Sequence, residues 1–203
     1  MIEMLDILMA GGWLMLPIVG CSILALTIVL ERFYVLSPKR VLPDSARDQA
    51  NRLCSSAQMD SGAIDALRQS SPLGKVLAEV VLTRDWPQKS RAQKIEELGR
   101  QVVHDLERFL NTLGTIAGIT PLLGLLGTVI GMIKVFQTIQ VAGVGQPTLL
   151  AGGISEALIT TAAGLSVAIP SYFFYRYYRA RVRALALELE QSVSDLMAQD
   201  HQQ

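Results

Sequence analysis

The sequence predicts an all-α membrane protein with three transmembrane helices, two of them long and extended into a cytoplasmic helical region. Three observations predict it. Half of the 203 residues are hydrophobic and 18% are charged, with a mean hydropathy of +0.35, too apolar a balance for an ordinary soluble domain of this size. The apolar residues fall in blocks, with no charge between Asp6 and Glu31, between Arg108 and Lys134, or between Glu156 and Arg176. Outside those blocks, apolar residues recur at three- and four-residue spacing, the period of helices that pack on one face.

A hydrocarbon core about 30 Å thick takes around 20 helical residues at about 1.5 Å rise each. The blocks therefore predict spans at roughly Gly11 to Leu30, Leu113 to Val135 and Leu150 to Tyr175. The N-terminus, Met1 to Asp6, is acidic and lacks the basic region of a cleaved signal peptide, so the first helix is expected to be retained. Of the 18 Lys and Arg, 13 lie in Glu31 to Arg108, four are Arg176, Arg179, Arg181 and Arg183, and one is Lys134. The positive-inside rule then places the N-terminus outside, the segment from Arg32 to Arg108 and the C-terminus in the cytoplasm, and a turn around Val141 to Pro147 outside.

The elements follow in order: 1–36 for the N-terminus and first span, 37–89 for a cytoplasmic helical segment, 90–138 for a long helix containing the second span, 139–149 for an outer turn, and 150–203 for the third span with a C-terminal cytoplasmic helix. Ser37-Pro38 and Leu42-Pro43 break the pattern after the first span, because proline disfavours helix in the residue before it. Asp44 to Ala57, Ser61 to Gln69 and Leu73 to Leu82 read as short helices between Ser, Gly and Pro signals. From Ser90, Ile95, Leu98, Val102, Leu106, Phe109, Leu110 and Leu113 keep a helical period without a break into the second span. Val182, Leu185, Leu189, Val193 and Leu196 carry a similar stripe beyond the third, and the aromatic run from Tyr172 to Tyr178 reads as an interfacial belt beside the arginines.

No Ser, His and Asp set is placed for nucleophilic catalysis, and His104 and His201 stand apart from any metal-ligand spacing, so neither an enzyme nor a metal site is expected. The Gly-rich run from Gly124 to Gly131 lacks the Lys-Ser/Thr pair of a phosphate loop, which excludes nucleotide binding; no cofactor and no nucleic acid is implied. Gly114 and Gly118, and Gly127 and Gly131, have the small-xxx-small spacing that lets helices approach closely in lipid, and Gly124 and Gly164 join them as packing positions. Pro121 and Pro170 each remove an intrahelical hydrogen bond inside a span.

The polar residues at membrane depth are where function is expected. Glu156 heads an otherwise uncharged stretch, and a carboxylate costs roughly 2.5 to 3.5 kcal/mol near the bilayer centre, so it should face protein or water. At about 1.5 Å per residue, Thr161 lies roughly 22 Å above Arg176 and Thr128 roughly 24 Å above Thr112, which puts the two threonines at one level. Glu156 and Lys134 fall outward of them, close enough in depth to pair, although Lys134 also has the length to reach the outer interface.

Two stretches, Pro121-Leu122-Leu123-Gly124-Leu125-Leu126-Gly127-Thr128-Val129-Ile130-Gly131-Met132 and Gly153-Ile154-Ser155-Glu156-Ala157-Leu158-Ile159-Thr160-Thr161-Ala162-Ala163-Gly164-Leu165 with Ala168-Ile169-Pro170, resemble the ExbB, TolQ and MotA family of proton-channel proteins, the ExbB branch above all. The resemblance implies a bacterial inner-membrane protein with a periplasmic N-terminus. It further implies a homopentamer surrounding a dimer of ExbD-like partners, and use of the proton-motive force to drive a TonB-like protein that serves outer-membrane uptake of iron chelates. On matched positions, Thr128 and Thr161 resemble the pore threonines that face the partner's aspartate, and Glu156 the pore glutamate; Lys134 matches no motif. A TolQ-like role in the Tol-Pal envelope system is the nearest alternative, and a passive membrane scaffold with Glu156 neutralised by Lys134 is another. A MotA-like stator fits less well, since that branch carries four membrane helices.

Overall fold

The computed structural model describes residues 11–55, 60–142 and 147–200. Among them are eight helices and no strand: α1 Met15–Val35, α2 Pro38–Val41, α3 Asp44–Ser55, α4 Ser61–Ser70, α5 Pro72–Leu82, α6 Gln88–Leu106, α7 Leu110–Ala142 and α8 Pro147–Asp200. Three are long and apolar enough to cross a membrane, over Met15–Val35, Leu110–Gln140 and within Leu150–Ala198. The chain is a multi-pass α-helical membrane protein. Its described residues form two compact units, one within 11–30 and 109–176, the other within 31–108 and 177–200.

The second unit is a small helical domain with a conventional core. Ser71 accepts a hydrogen bond from the Gly74 amide at 2.9 Å and Pro72 occupies the first turn, so α5 starts where its exposed amides are satisfied. Asp60 does the same for α4 through the Gly62 amide at 2.9 Å. Leu67, Leu73, Val76, Leu77 and Val80 are buried, and Val182, Leu185 and Leu189 on α8 are buried in the same unit. Arg47 on α3 donates from Nε to the Ser192 hydroxyl on α8 at 3.1 Å.

Five expectations change here. The first span starts at Met15 rather than Gly11, because Gly12 takes a left-handed backbone with φ 70° that a helix cannot contain. Pro38 opens the one-turn helix α2 instead of only ending α1: proline restricts the residue before it, and Ser37 is extended, but its own φ suits a first helical position.

The long helix expected over 90–138 is interrupted. α6 ends at Leu106, Phe109 has φ 62°, and α7 begins at Leu110. Periodicity could not show this, since Leu106, Leu110 and Leu113 are all buried on either side of the break while Phe109 is 42% exposed. Arg32, 3% exposed, donates from Nη1 to the Leu106 carbonyl at 3.0 Å and pairs with Glu31, placing a cation on the exposed carbonyl end of α6.

Tyr178 leaves the expected aromatic belt. It is 2% exposed, in register with Val182, Leu185 and Leu189 on the buried stripe, whereas Tyr172, Phe173 and Tyr177 are exposed. The turn expected over 139–149 overlaps helix at both ends, since α7 continues to Ala142 and α8 starts at Pro147. Residues 143–146, the acidic N-terminus and His201 lie outside the described residues.

Candidate proton-pathway site

In the membrane unit, α7 and α8 meet along a seam of small residues. Lipid tails compete with apolar side chains, so close backbone contact has to replace the hydrophobic effect as the force joining such helices. A methyl carbon at Gly131 would lie 2.7 Å from Cβ of Ala157 and 2.9 Å from the Gly153 carbonyl. One at Gly127 would lie 2.5 Å from Thr160, and one at Gly124 3.1 Å from Cα of Thr161. From the other helix, a methyl at Gly164 would meet the Thr120 carbonyl at 2.8 Å. A methyl carbon at Gly114 would lie 3.0 Å from the Tyr175 ring, while Gly118 has open space around it within this chain.

Pro121 and Pro170 lie inside α7 and α8. Beside them, Thr120 donates to Ile116 and Ser171 to Val167, which satisfies both hydroxyls within their own helices.

The polar residues sort onto two flanks of this seam. Thr161 donates to the Gly124 carbonyl at 2.9 Å, across from α8 to α7, and Thr128 sits one turn beyond Gly124 with its hydroxyl on Leu125 at 2.6 Å. On the other flank, Lys134 Nζ lies 2.6 Å from Glu156 Oε1. Helical geometry explains the division: at about 100° per residue, Glu156 and Thr161 are about 140° apart around α8, and Thr128 and Lys134 about 120° apart around α7. Depth alone, which places all four residues within a few turns, does not reveal this.

The Glu156 flank also adjoins the segment leading into α1. Thr160, 1% exposed and one turn after Glu156, has its hydroxyl 2.8 Å from the Gly11 carbonyl and 2.7 Å from the Glu156 carbonyl. The Glu156 carboxylate occupies the space beside Gly12, where a methyl carbon would lie 2.2 Å from Oε1. A gap of about 10 Å³ among Gly11, Trp13, Gly127, Glu156 and Thr160 is at the lower limit for a single water. Within the Lys134–Glu156 pair the carboxylate is 23% exposed against 48% for the lysine side chain.

Sequence reasoning had the two threonines at one depth and Lys134 within reach of Glu156, and the structure brings each pair to one flank. It does not bring Glu156 to the threonine flank. It adds Gly12, and it gives a place to Thr160, which the motif contains but to which depth and motif assigned no role. The signal for Thr160 was available: it follows Glu156 by four residues and so shares its face.

Residues 69–191 match the MotA/TolQ/ExbB proton channel family. The chain is 31% identical over 189 residues to biopolymer transport protein ExbB-like 3 of Synechocystis sp., an alignment covering 91% of this chain and 89% of that protein. It is 34% identical over 178 residues to ExbB-like 1 of the same organism, covering 86% and 70%. The Tol-Pal system protein TolQ of Haemophilus influenzae is 34% identical over 101 residues, covering 50% of this chain and 44% of that protein. The matched stretch takes in the α7–α8 seam with both of its polar flanks and more than half of the sequence, and on that ground the chain belongs to the MotA/TolQ/ExbB proton channel family.

Proposed function

We propose that this chain is the ExbB-like subunit of a proton channel in a bacterial inner membrane, and that with an ExbD-like partner it uses the proton-motive force to energise TonB-dependent transport. The observation that carries the reading is the threonine flank: Thr161 and Thr128 present two hydroxyls on the side of the seam away from Glu156 and the lead-in to α1. One chain offers no continuous proton path through about 30 Å of apolar helix. Several copies arranged as a ring, five in the family pattern, supply hydroxyls around a central partner, whose carboxylate is the missing proton carrier.

The chemistry is a competition for one hydroxyl proton. With the partner carboxylate protonated, the Thr161 hydroxyl stays on the Gly124 carbonyl. Once ionised, the carboxylate is the stronger acceptor, because a hydrogen bond to a charged oxygen is roughly twice as strong as a neutral one, and the hydroxyl turns toward it. Each cycle of protonation and release thus makes and breaks a link between the partner and one copy of this chain. With two partner helices inside five equivalent copies, that link passes from one copy to the next.

The test is proton uptake into liposomes carrying this chain with an ExbD-like subunit, driven by an imposed membrane potential. Uptake that requires both chains supports the reading, and equal uptake with or without the second chain contradicts it. A TolQ-like role is the second reading, favoured by the match to the Haemophilus influenzae protein. Co-purification of a TolR-like rather than an ExbD-like subunit would select it.

A further inference from the structure

Lys134 has an alternative that it does not take. It stands about 12 Å of helix below the end of α7 at Ala142, near enough for a lysine to extend its ammonium to the interface. Instead its Nζ reaches sideways to Glu156 Oε1 at 2.6 Å. The carboxylate it meets is also confined on its other side by the left-handed backbone of Gly12, and the Gly11 carbonyl is held one turn along α8 by Thr160. Three segments of the membrane unit therefore converge on one carboxylate, and the ammonium supplies its charged partner.

We propose that Lys134 is a positioning residue for Glu156: its ammonium fixes the carboxylate at the outer junction of the three membrane helices, on the flank away from Thr128 and Thr161, and proton transport depends on that placement. A Glu side chain without the ion pair has other staggered rotamers open to it. Turned out of the junction, it would leave the space beside Gly12 and stand as an unpaired charge at membrane depth, which is costly. Lys134 keeps the carboxylate paired and in the junction. The inference rests on the proton-channel reading above and goes beyond it, since it assigns a role to a residue outside the motifs that carry the resemblance.

The test is a double-mutant cycle in full-length chain reconstituted with the ExbD-like subunit, reading proton uptake per assembled complex. Lys134→Gln is expected to lower uptake roughly tenfold, within the span of couplings measured between contacting residues, and Lys134→Arg to remain near wild type. Glu156→Gln is expected to be low as well, and the double variant no lower than Glu156→Gln alone. Wild-type uptake from Lys134→Gln while Glu156→Gln is impaired overturns this inference and leaves the channel reading standing. Multiplied losses in the double variant overturn it too, since Lys134 would then act independently of Glu156. No partner-dependent uptake even in wild type contradicts the channel reading itself. If Lys134→Gln fails to accumulate, the double variant decides: recovery on removing both charges supports the pair, and no recovery overturns it.

Discussion

The Thr161 hydroxyl donates to the Gly124 carbonyl at 2.9 Å, so the residue we propose faces a partner carboxylate also makes a bond across the α7–α8 seam. Removing the hydroxyl has a structural cost as well as a functional one. A neutral hydrogen bond of this kind contributes about 0.5 to 1.5 kcal/mol, which a well-packed seam can lose without coming apart. Thr161→Val should therefore lower the thermal stability of the purified assembly only slightly, as read by loss of the assembled band on heating.

Gly131 should tolerate far less. Its missing side chain leaves room for Ala157 Cβ at 2.7 Å and the Gly153 carbonyl at 2.9 Å, and backbone cannot step aside as a flexible side chain can. Gly131→Val is expected to destabilise the membrane unit by roughly 1 to 3 kcal/mol, the usual range for overpacking. Gly118→Ala, with open space around it within this chain, is the matched comparison. Temperature-dependent aggregation in detergent distinguishes them, with Gly131→Val failing at lower temperature.

Arg32 predicts a soluble-side effect. Its guanidinium, 3% exposed, caps the α6 carbonyl end at Leu106, and Arg32→Met leaves that carbonyl without the charged donor. Hydrogen bonds to charged groups contribute about 1.5 to 3 kcal/mol, and a loss in that range should loosen the end of α6. Limited proteolysis is expected to cut the variant near 106–109 faster than the native chain, where Phe109 already carries a left-handed backbone.

Gly12→Ala tests the junction from the α1 side. The substitution puts an L side chain at φ 70°, which costs roughly 1 to 2 kcal/mol, and its methyl displaces Oε1 of Glu156. The expected result is reduced stability together with reduced proton uptake. Unchanged uptake would mean that the position of the carboxylate does not matter.

Much of this architecture was legible in the spacing of charges. Three uncharged blocks gave three membrane helices, and a small-residue spacing pointed to Gly127 and Gly131, which lie against Thr160 and Ala157. What escaped was rotation and local backbone. A depth scale built from helical rise put Glu156 above Thr161 without showing that five residues turn it to the opposite flank. A continuous apolar period across Leu106, Leu110 and Leu113 concealed a break, because Phe109 interrupts the backbone while the buried positions on both sides keep their spacing. Tyr178 was grouped with its exposed aromatic neighbours because composition does not distinguish a belt from one ring turned into a core.

The threonine flank is the central claim, and proton uptake by Thr161→Val in liposomes with the ExbD-like subunit tests it most directly. Valine keeps the shape and removes the donor, so uptake per assembled complex is expected to fall by about tenfold or more, with Thr161→Ser recovering most of it; a loss of that size corresponds to about 1.4 kcal/mol per decade. Wild-type uptake by an assembled Thr161→Val complex would contradict the account, because no hydroxyl at this position would then be needed.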